Sequence, residues 1–120
     1  MLTVASIDET VRFYTDVLGM TEVVFANDRR ALSFGEQKLN LHEAGHEFEP
    51  KAALPTPGSA DLCFVAAADA EAIAAWLHAR GVSVEAGPVE RTGALGPMTS
   101  FYFRDPDGNL IEVATYVNAL

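Results

Sequence analysis

Hydrophobic residues recur along this chain with two periods. Val11, Tyr14, Val17 and Leu18 lie three and four positions apart, which stacks their side chains on one face of a helix spanning Asp8 to Leu18. Ser6 followed by Glu9 fits a capping box at the start of that helix, and Gly19 fits its end. Around the helix the period shortens. Leu2-Thr3-Val4 precedes it as a short strand, and the β-branched run Thr21-Glu22-Val23-Val24-Phe25 follows as another. After the turn residues Ala26-Asn27-Asp28 come two more strands, Ala31 to Phe34 and Lys38 to Glu43, joined at Gly35-Glu36. The first strand is already under way at the first residues, so the pattern reads as though chain preceded Met1.

The order then repeats. Asp61 to Val65 reads as a strand, Asp69 to Arg80 as a helix with Ile73, Trp76 and Leu77 inward, and Gly81 as its stop. Val82-Ser83-Val84-Glu85 alternates as a strand, Ser100 to Arg104 is a further one, and Asn109 to Tyr116 the last. Val4 and Val65 are 61 positions apart, as are Asp8 and Asp69, while Gly19 and Gly81 are 62 apart. A duplicated βαβββ unit accounts for this matched register; chance recurrence in an undivided α+β domain accounts only for the element types. The predicted fold is therefore α+β, two tandem βαβββ modules forming a curled mixed sheet around a cavity. It is one domain over residues 1–120, with modules at 1–46 and 59–117. Between them the stretch with Pro50, Pro55, Pro57 and Gly58 is a Pro-rich linker, and Gly87 to Met98 is expected to be a loop.

Composition narrows the partners. A chain of 120 residues, 49% hydrophobic and 21% charged, can bury one ordinary core. Eight basic against 17 acidic residues give a net charge of −9, which repels phosphate backbones and anionic lipid, and the basic residues are scattered with only Arg29-Arg30 adjacent. No nucleic acid and no membrane partner are expected. No apolar run approaches the ~18 residues that span a bilayer, and Met1-Leu2-Thr3-Val4 carries no cationic leader, so a cytoplasmic location is expected. The single cysteine, Cys63, excludes an internal disulfide and a thiolate metal cluster; in its apolar run it reads as a small buried hydrophobe.

Polar side chains on the inward face of apolar strands mark where such a cavity would hold a ligand. Asn40 and His42 share one face of their strand, Asp61 and Cys63 one face of theirs. Glu112 is the only charge between Leu110 and Tyr116; a carboxylate there needs a cation, a metal or solvent beside it. It marks either the cavity or a wet sheet face. Asp61 opens its strand after Pro57-Gly58-Ser59, where Asp also serves turns. His42-Glu43-Ala44-Gly45-His46 matches the letters of the zinc-peptidase motif H-E-x-x-H, which works only on a helix. The alternating approach Lys38-Leu39-Asn40-Leu41, with Gly45 and Pro50 after it, makes a strand and argues against a peptidase. That leaves His42 as a ligand candidate, with His46 and His78 solvated. Asp105-Pro106-Asp107-Gly108-Asn109 reads as a hairpin turn.

Phe101-Tyr102-Phe103-Arg104-Asp105-Pro106-Asp107-Gly108-Asn109-Leu110-Ile111-Glu112-Val113, with Phe13-Tyr14 and Val17-Leu18-Gly19-Met20, resembles the vicinal oxygen chelate superfamily. That group holds glyoxalase I, the bleomycin and fosfomycin resistance proteins and the extradiol dioxygenases. Phe34-Gly35, Asn40-Leu41-His42-Glu43, Phe48-Glu49-Pro50-Lys51-Ala52 and Arg91-Thr92-Gly93 look like its branch called glyoxalase-domain-containing protein five. The resemblance implies a divalent metal (zinc, nickel, cobalt, manganese or iron) held from strands one, four, five and eight. By position it makes Glu112 both a metal ligand and the proton-moving catalytic residue, and Asp61 a second ligand. The fourth-strand carboxylate of glyoxalase falls on Asn40, with His42 as a substitute ligand, and the first-strand His falls before Met1, implying a weakened or lost site. The implied function is a metal-dependent lyase or isomerase of glyoxalase I type acting on a small molecule with adjacent oxygens. Arg91, Arg104 and Asn40 are its substrate-binding candidates; as surface charges the two arginines would only balance an acidic protein. The alternatives are a non-catalytic, bleomycin-resistance-like binding protein and, less well supported, an extradiol dioxygenase. A homodimer is also implied.

Overall fold

The computed structural model describes residues 1–117, which fall into two compact units. The first comprises Met1–Ala60 and the short segment Asp105–Asn109. Its elements are β1 (Leu2–Val4), α1 (Ile7–Leu18), β2 (Thr21–Phe25), β3 (Arg29–Phe34) and β4 (Gln37–Glu43). The strands lie in the order β1-β4-β3-β2, with β1 parallel to β4 and the other pairs antiparallel. Ser6 caps α1 by accepting from the Glu9 N–H at 3.3 Å, and Gly19 ends it in the left-handed conformation at φ 67°. Val11, Tyr14 and Val17 are buried, as the helical spacing requires. On β3 and β4, Arg30 and Glu43 reach Asp8 and the Ile7 N–H of α1 and so mark the helix side of the sheet. Leu32, Leu39 and Leu41 share that side, and Ala31, Asn40 and His42 take the other.

The segment Asp105–Asn109 gives this unit a buried polar staple. The Asp105 carboxylate, 5% exposed, accepts four hydrogen bonds. Two come from the backbone N–H groups of Asp107 and Asn109 at 2.9 Å, one from the Asn109 side-chain amide at 2.8 Å and one from the Tyr14 hydroxyl at 2.7 Å. Asn109 Oδ1 accepts from the Ala60 N–H, and Asp107 Oδ1 from the Ala5 N–H. Burial, followed by the hydrogen bond to Asp105, pushes the Tyr14 hydroxyl far above its ordinary pKa, so it remains a donor.

The second unit comprises, among the described residues, Asp61–Arg104 and 110–117. It contains β5 (Asp61–Val65), α2 (Ala70–Ala79), β6 (Ala86–Gly93), β7 (Gly96–Arg104) and β8 (Leu110–Tyr116), in the strand order β5-β8-β7-β6. β5 runs parallel to β8 and the remaining pairs are antiparallel. Asp69 caps α2 through the Ala72 N–H, and Ile73 and Leu77 face inward. Trp76 departs from expectation: it is 44% exposed and carries the Arg80 guanidinium 3.1 Å from its ring centroid. The chain is thus α+β, built from two tandem βαβββ modules, each with a four-stranded mixed sheet. No helix among the described residues is long and apolar enough to cross a membrane.

One strand was misplaced by pattern reading. Val82–Glu85 is irregular, while most of the expected loop forms the hairpin of β6 and β7. Pro88 is tolerated because β6 is an edge strand and its pairing shifts register between Ala86 and Val89. Gly87 makes the irregularity possible: at φ 135°, an added Cβ would stand 2.8 Å from both Phe101 Cα and the Ser100 carbonyl oxygen. Gly87→Ala is expected to cost about 2–4 kcal/mol, combining backbone strain and overpacking. Urea unfolding of the variant beside wild type checks this.

Candidate functional site

Strand alternation in the second unit gathers chemistry on one sheet face. Register pairs Glu112 of β8 with Tyr102 of β7 and with Cys63 of β5, so these three side chains are neighbours. Fully buried Ser100 donates its hydroxyl proton to Glu112 Oε2 at 2.6 Å, within the range of a charge-assisted bond. The Cys63 thiol also donates to this carboxylate. Its pKa is raised by burial first, then by the Glu112 charge and that hydrogen bond, so it is held as a thiol. Cys63 is exposed, contrary to the buried hydrophobe expected of it, because its side chain points to the open face while Leu62 and Phe64 take the other. Two protein donors fix the carboxylate and leave acceptor capacity for a ligand.

Beside this pair lies a cation. Arg91 Nε donates to the Tyr102 hydroxyl oxygen at 3.1 Å, and a second guanidinium nitrogen donates to the Glu90 carbonyl. Tyr102 keeps its own proton to donate onward. Arg104 sits at the end of β7 in an exposed ion pair with Glu85 at 3.0 Å. Its pKa is raised first by that hydrogen bond. Asp61 is exposed at the start of β5, opposite Leu110 rather than Glu112.

In the first unit Asn40 and His42 share a face with Arg29. His42 is 4% exposed, its ring edge-on to Phe48 at 5.8 Å between centroids, and Phe48 carries the Arg29 guanidinium at 4.5 Å. His46 is exposed in the turn after β4, so the H-E-x-x-H letters lie on a strand and turn and form no peptidase pair. Burial is the main cause that lowers the His42 pKa. Glu47 opposes it, while the N-terminus, Arg29 and Lys51 add to it. A histidine neutral in the fold but protonated in the unfolded chain contributes stability above the ordinary value of about 6.5, and loses it as pH falls toward the depressed folded value. Denaturation titrated from pH 8 to pH 5 should therefore show a decline below about 6.5 that His42→Gln makes shallower.

The divalent metal implied by the resemblance needs at least three oxygen, nitrogen or sulfur donors converging on one point. Among the described residues, no three His, Cys, Asp or Glu side chains come together as a metal-holding group. Asn40 offers an amide at the position where the resemblance implies a carboxylate ligand. The residues described do not make a complete divalent site.

Paired βαβββ modules, with a fixed carboxylate on the eighth strand of an acidic α+β chain, define a glyoxalase-fold protein. A model of the Glyoxalase/Bleomycin resistance protein/Dioxygenase superfamily matches residues 1–113, and the chain belongs to that superfamily. Virulence protein STM3117 of Salmonella typhimurium is 54% identical over 117 residues, covering 98% of this chain and 81% of that protein. Its crystal structure matches with a TM-score of 0.94 over 97% of this chain and 92% of that one. Glyoxalase domain-containing protein RDO1 of Mycosarcoma maydis is 52% identical over 122 residues, covering 99% of this chain and 67% of that protein. The crystal structure of lactoylglutathione lyase from Agrobacterium tumefaciens matches at 25% identity with a TM-score of 0.70, over 95% and 88% of the two chains.

Ser100, Tyr102, Arg29 and Phe48 were not singled out by sequence reading as site residues. The signal for the first two was present: they alternate with Phe101 and Phe103 and so share a face that the neighbouring strand completes with Glu112. Arg29 and Phe48 meet only through the chain reversal after β4, which no periodicity encodes.

Proposed function

We propose that this chain is a glyoxalase-type isomerase or lyase acting on a small molecule with adjacent oxygens, in which Glu112 accepts and returns a proton. The observation that carries this reading is the Glu112 carboxylate, held by Ser100 at 2.6 Å beside the Arg91–Tyr102 donor pair. For a thiol–aldehyde adduct, a proton leaves the carbon bearing sulfur and hydroxyl, resides on Glu112, and is returned to the neighbouring carbon, while the hydroxyl proton of the first carbon passes to the oxygen of the second, so that the first becomes the thioester carbonyl and the second an alcohol. The molecular formula is unchanged. Tyr102, polarised by Arg91, donates to the oxygen on which negative charge develops. The likeness to lactoylglutathione lyase supports this choice of substrate class. Arg104, tied to Glu85, is a less accessible partner for an anionic group than Arg91. Asp61 and His42 are retained as proposed metal ligands only if metal analysis finds an ion.

The test follows product formation from the glutathione–methylglyoxal adduct, with zinc, nickel, cobalt or manganese supplied and with a chelator. Turnover that Tyr102→Phe slows supports the reading. Wild-type protein inert under every condition would overturn the isomerase. In that outcome, tight ligand binding unaffected by Glu112→Gln favours the second reading, a bleomycin-resistance-like binding protein, for which the incomplete metal donor set argues.

A further inference from the structure

The face of the second sheet opposite Glu112 carries a cavity that the proton transfer does not use. Along that face the cross-strand pairs Phe103–Ile111 and Phe101–Val113 are buried and apolar, and the next pair is Thr99–Thr115. Two hydroxyls thus stand where the pattern calls for more hydrocarbon. Beside them opens a pocket of about 300 Å³, lined by the two threonines, by Asp69 and Ala70 at the start of α2, and by Ala67 and Val117. That is large enough for a small organic molecule. Thr115 is 8% exposed, and among the described residues its hydroxyl takes part in no hydrogen bond, a desolvation cost that a ligand in the pocket would offset. Asp69 brings the only charge that any described residue adds to the lining. Its Oδ1 caps α2 through the Ala72 N–H at 2.8 Å, which already meets the preference of the helix end for negative charge. Its second oxygen has no partner among the described residues, and Glu71 in the first turn deepens the negative potential.

We propose that this pocket binds a small primary alkylammonium, its N–H groups donating to Asp69 Oδ2 and to the hydroxyl oxygens of Thr115 and Thr99, its tail against Ala67, Ala70 and Val117. An ammonium offers three donors and no acceptor, which suits a wall of acceptors with no cation in it. A carboxylic acid would meet Asp69 with no counter-charge beside it, and a neutral alcohol would forgo the charge-assisted bond. The net charge of −9 favours the approach of a cation. Thr99 and Thr115 alternate with Ser100 and Glu112 and so point to the other side of β7 and β8. Binding here and proton transfer at Glu112 can therefore fail separately.

The experiment titrates the full chain with butylammonium, butanol and pentanoate and follows the backbone amide chemical shifts. Butylammonium is expected to shift residues 67–72, 99 and 115–117 saturably. It should bind about tenfold or more tighter than butanol, the margin of a charge-assisted over a neutral hydrogen bond, and pentanoate should bind more weakly still. Asp69→Asn keeps a capping oxygen and removes the charge, so it should abolish the margin between butylammonium and butanol. Thr115→Val is isosteric and should cut that margin about threefold to tenfold. Because the margin is a ratio, a general change in apolar contact cancels from it, and thermal melts establish that both variants are folded. Butanol or pentanoate binding as tightly as butylammonium would overturn the proposal, and so would a margin unchanged in either variant. Shifts that do not saturate, or that spread over the acidic surface, would overturn it equally.

Discussion

Asp105→Ala is expected to destabilise the protein by about 3–5 kcal/mol, among the largest effects of any single substitution outside the apolar core. The carboxylate it removes is 5% exposed and saturated by four donors. Truncation therefore strands the Tyr14 hydroxyl, the Asn109 amide and two backbone N–H groups in a place where water cannot readily replace the acceptor. Tyr14→Phe removes one donor and orphans none, so it should cost only about 1–2 kcal/mol. The ratio of the two separates a saturated network from a single useful bond. Asp105→Asn preserves shape but turns one acceptor into a donor facing donors, and should sit near the Ala variant. Urea unfolding with a common slope is the measurement; a fall in melting temperature of about 10–20 °C for Asp105→Ala is the thermal equivalent. Equal costs for Tyr14→Phe and Asp105→Ala would mean that Tyr14 alone carries the staple.

Glu112→Gln is expected to lower turnover of the thiol–aldehyde adduct by about 10²–10⁴-fold, the range of a positioned general base. The substitution is nearly isosteric, and the amide oxygen can still accept from Ser100, so melting should move little. What is lost is the site where the proton resides between departure and return. Ser100→Ala is the companion variant: it leaves the carboxylate in place but removes the 2.6 Å bond that fixes its rotamer. A fall in kcat smaller than that of Glu112→Gln would identify Ser100 as a positioning residue. Full activity in Glu112→Gln would remove the carboxylate from the chemistry.

The repeat was legible because each helix announces its start and its stop. Ser6 and Asp69 cap, and Gly19 and Gly81 terminate in positive φ at a nearly constant offset. Strand alternation then fixed which side chains share a face, and Glu112 between Ile111 and Val113 was conspicuous for that reason. Pro88 misled, since a proline forbids a central strand yet suits an edge with a bulge, and edge status is a property of the finished sheet. Ser100 and Tyr102 escaped notice because cross-strand neighbours depend on register, which no single strand contains. Trp76 shows a limit of the helical wheel: Ile73 and Leu77 suffice for the buried stripe, and the large ring goes outside against Arg80. Asp105-Pro106-Asp107-Gly108-Asn109 was legible as a turn but not as a polar core, because two of its partners, Tyr14 and Ala60, lie far away in sequence.

The segment Asp105–Asn109 joins two strands of the second unit yet belongs to the first. The gene for this protein therefore has no clean midpoint. A fragment ending at residue 60 keeps Tyr14 and the Ala60 N–H without the carboxylate and amide they bind; the complementary fragment carries Asp105 and Asn109 with their outside partners gone. The two halves are therefore not interchangeable parts, because each lacks partners that the other's stretch of chain supplies.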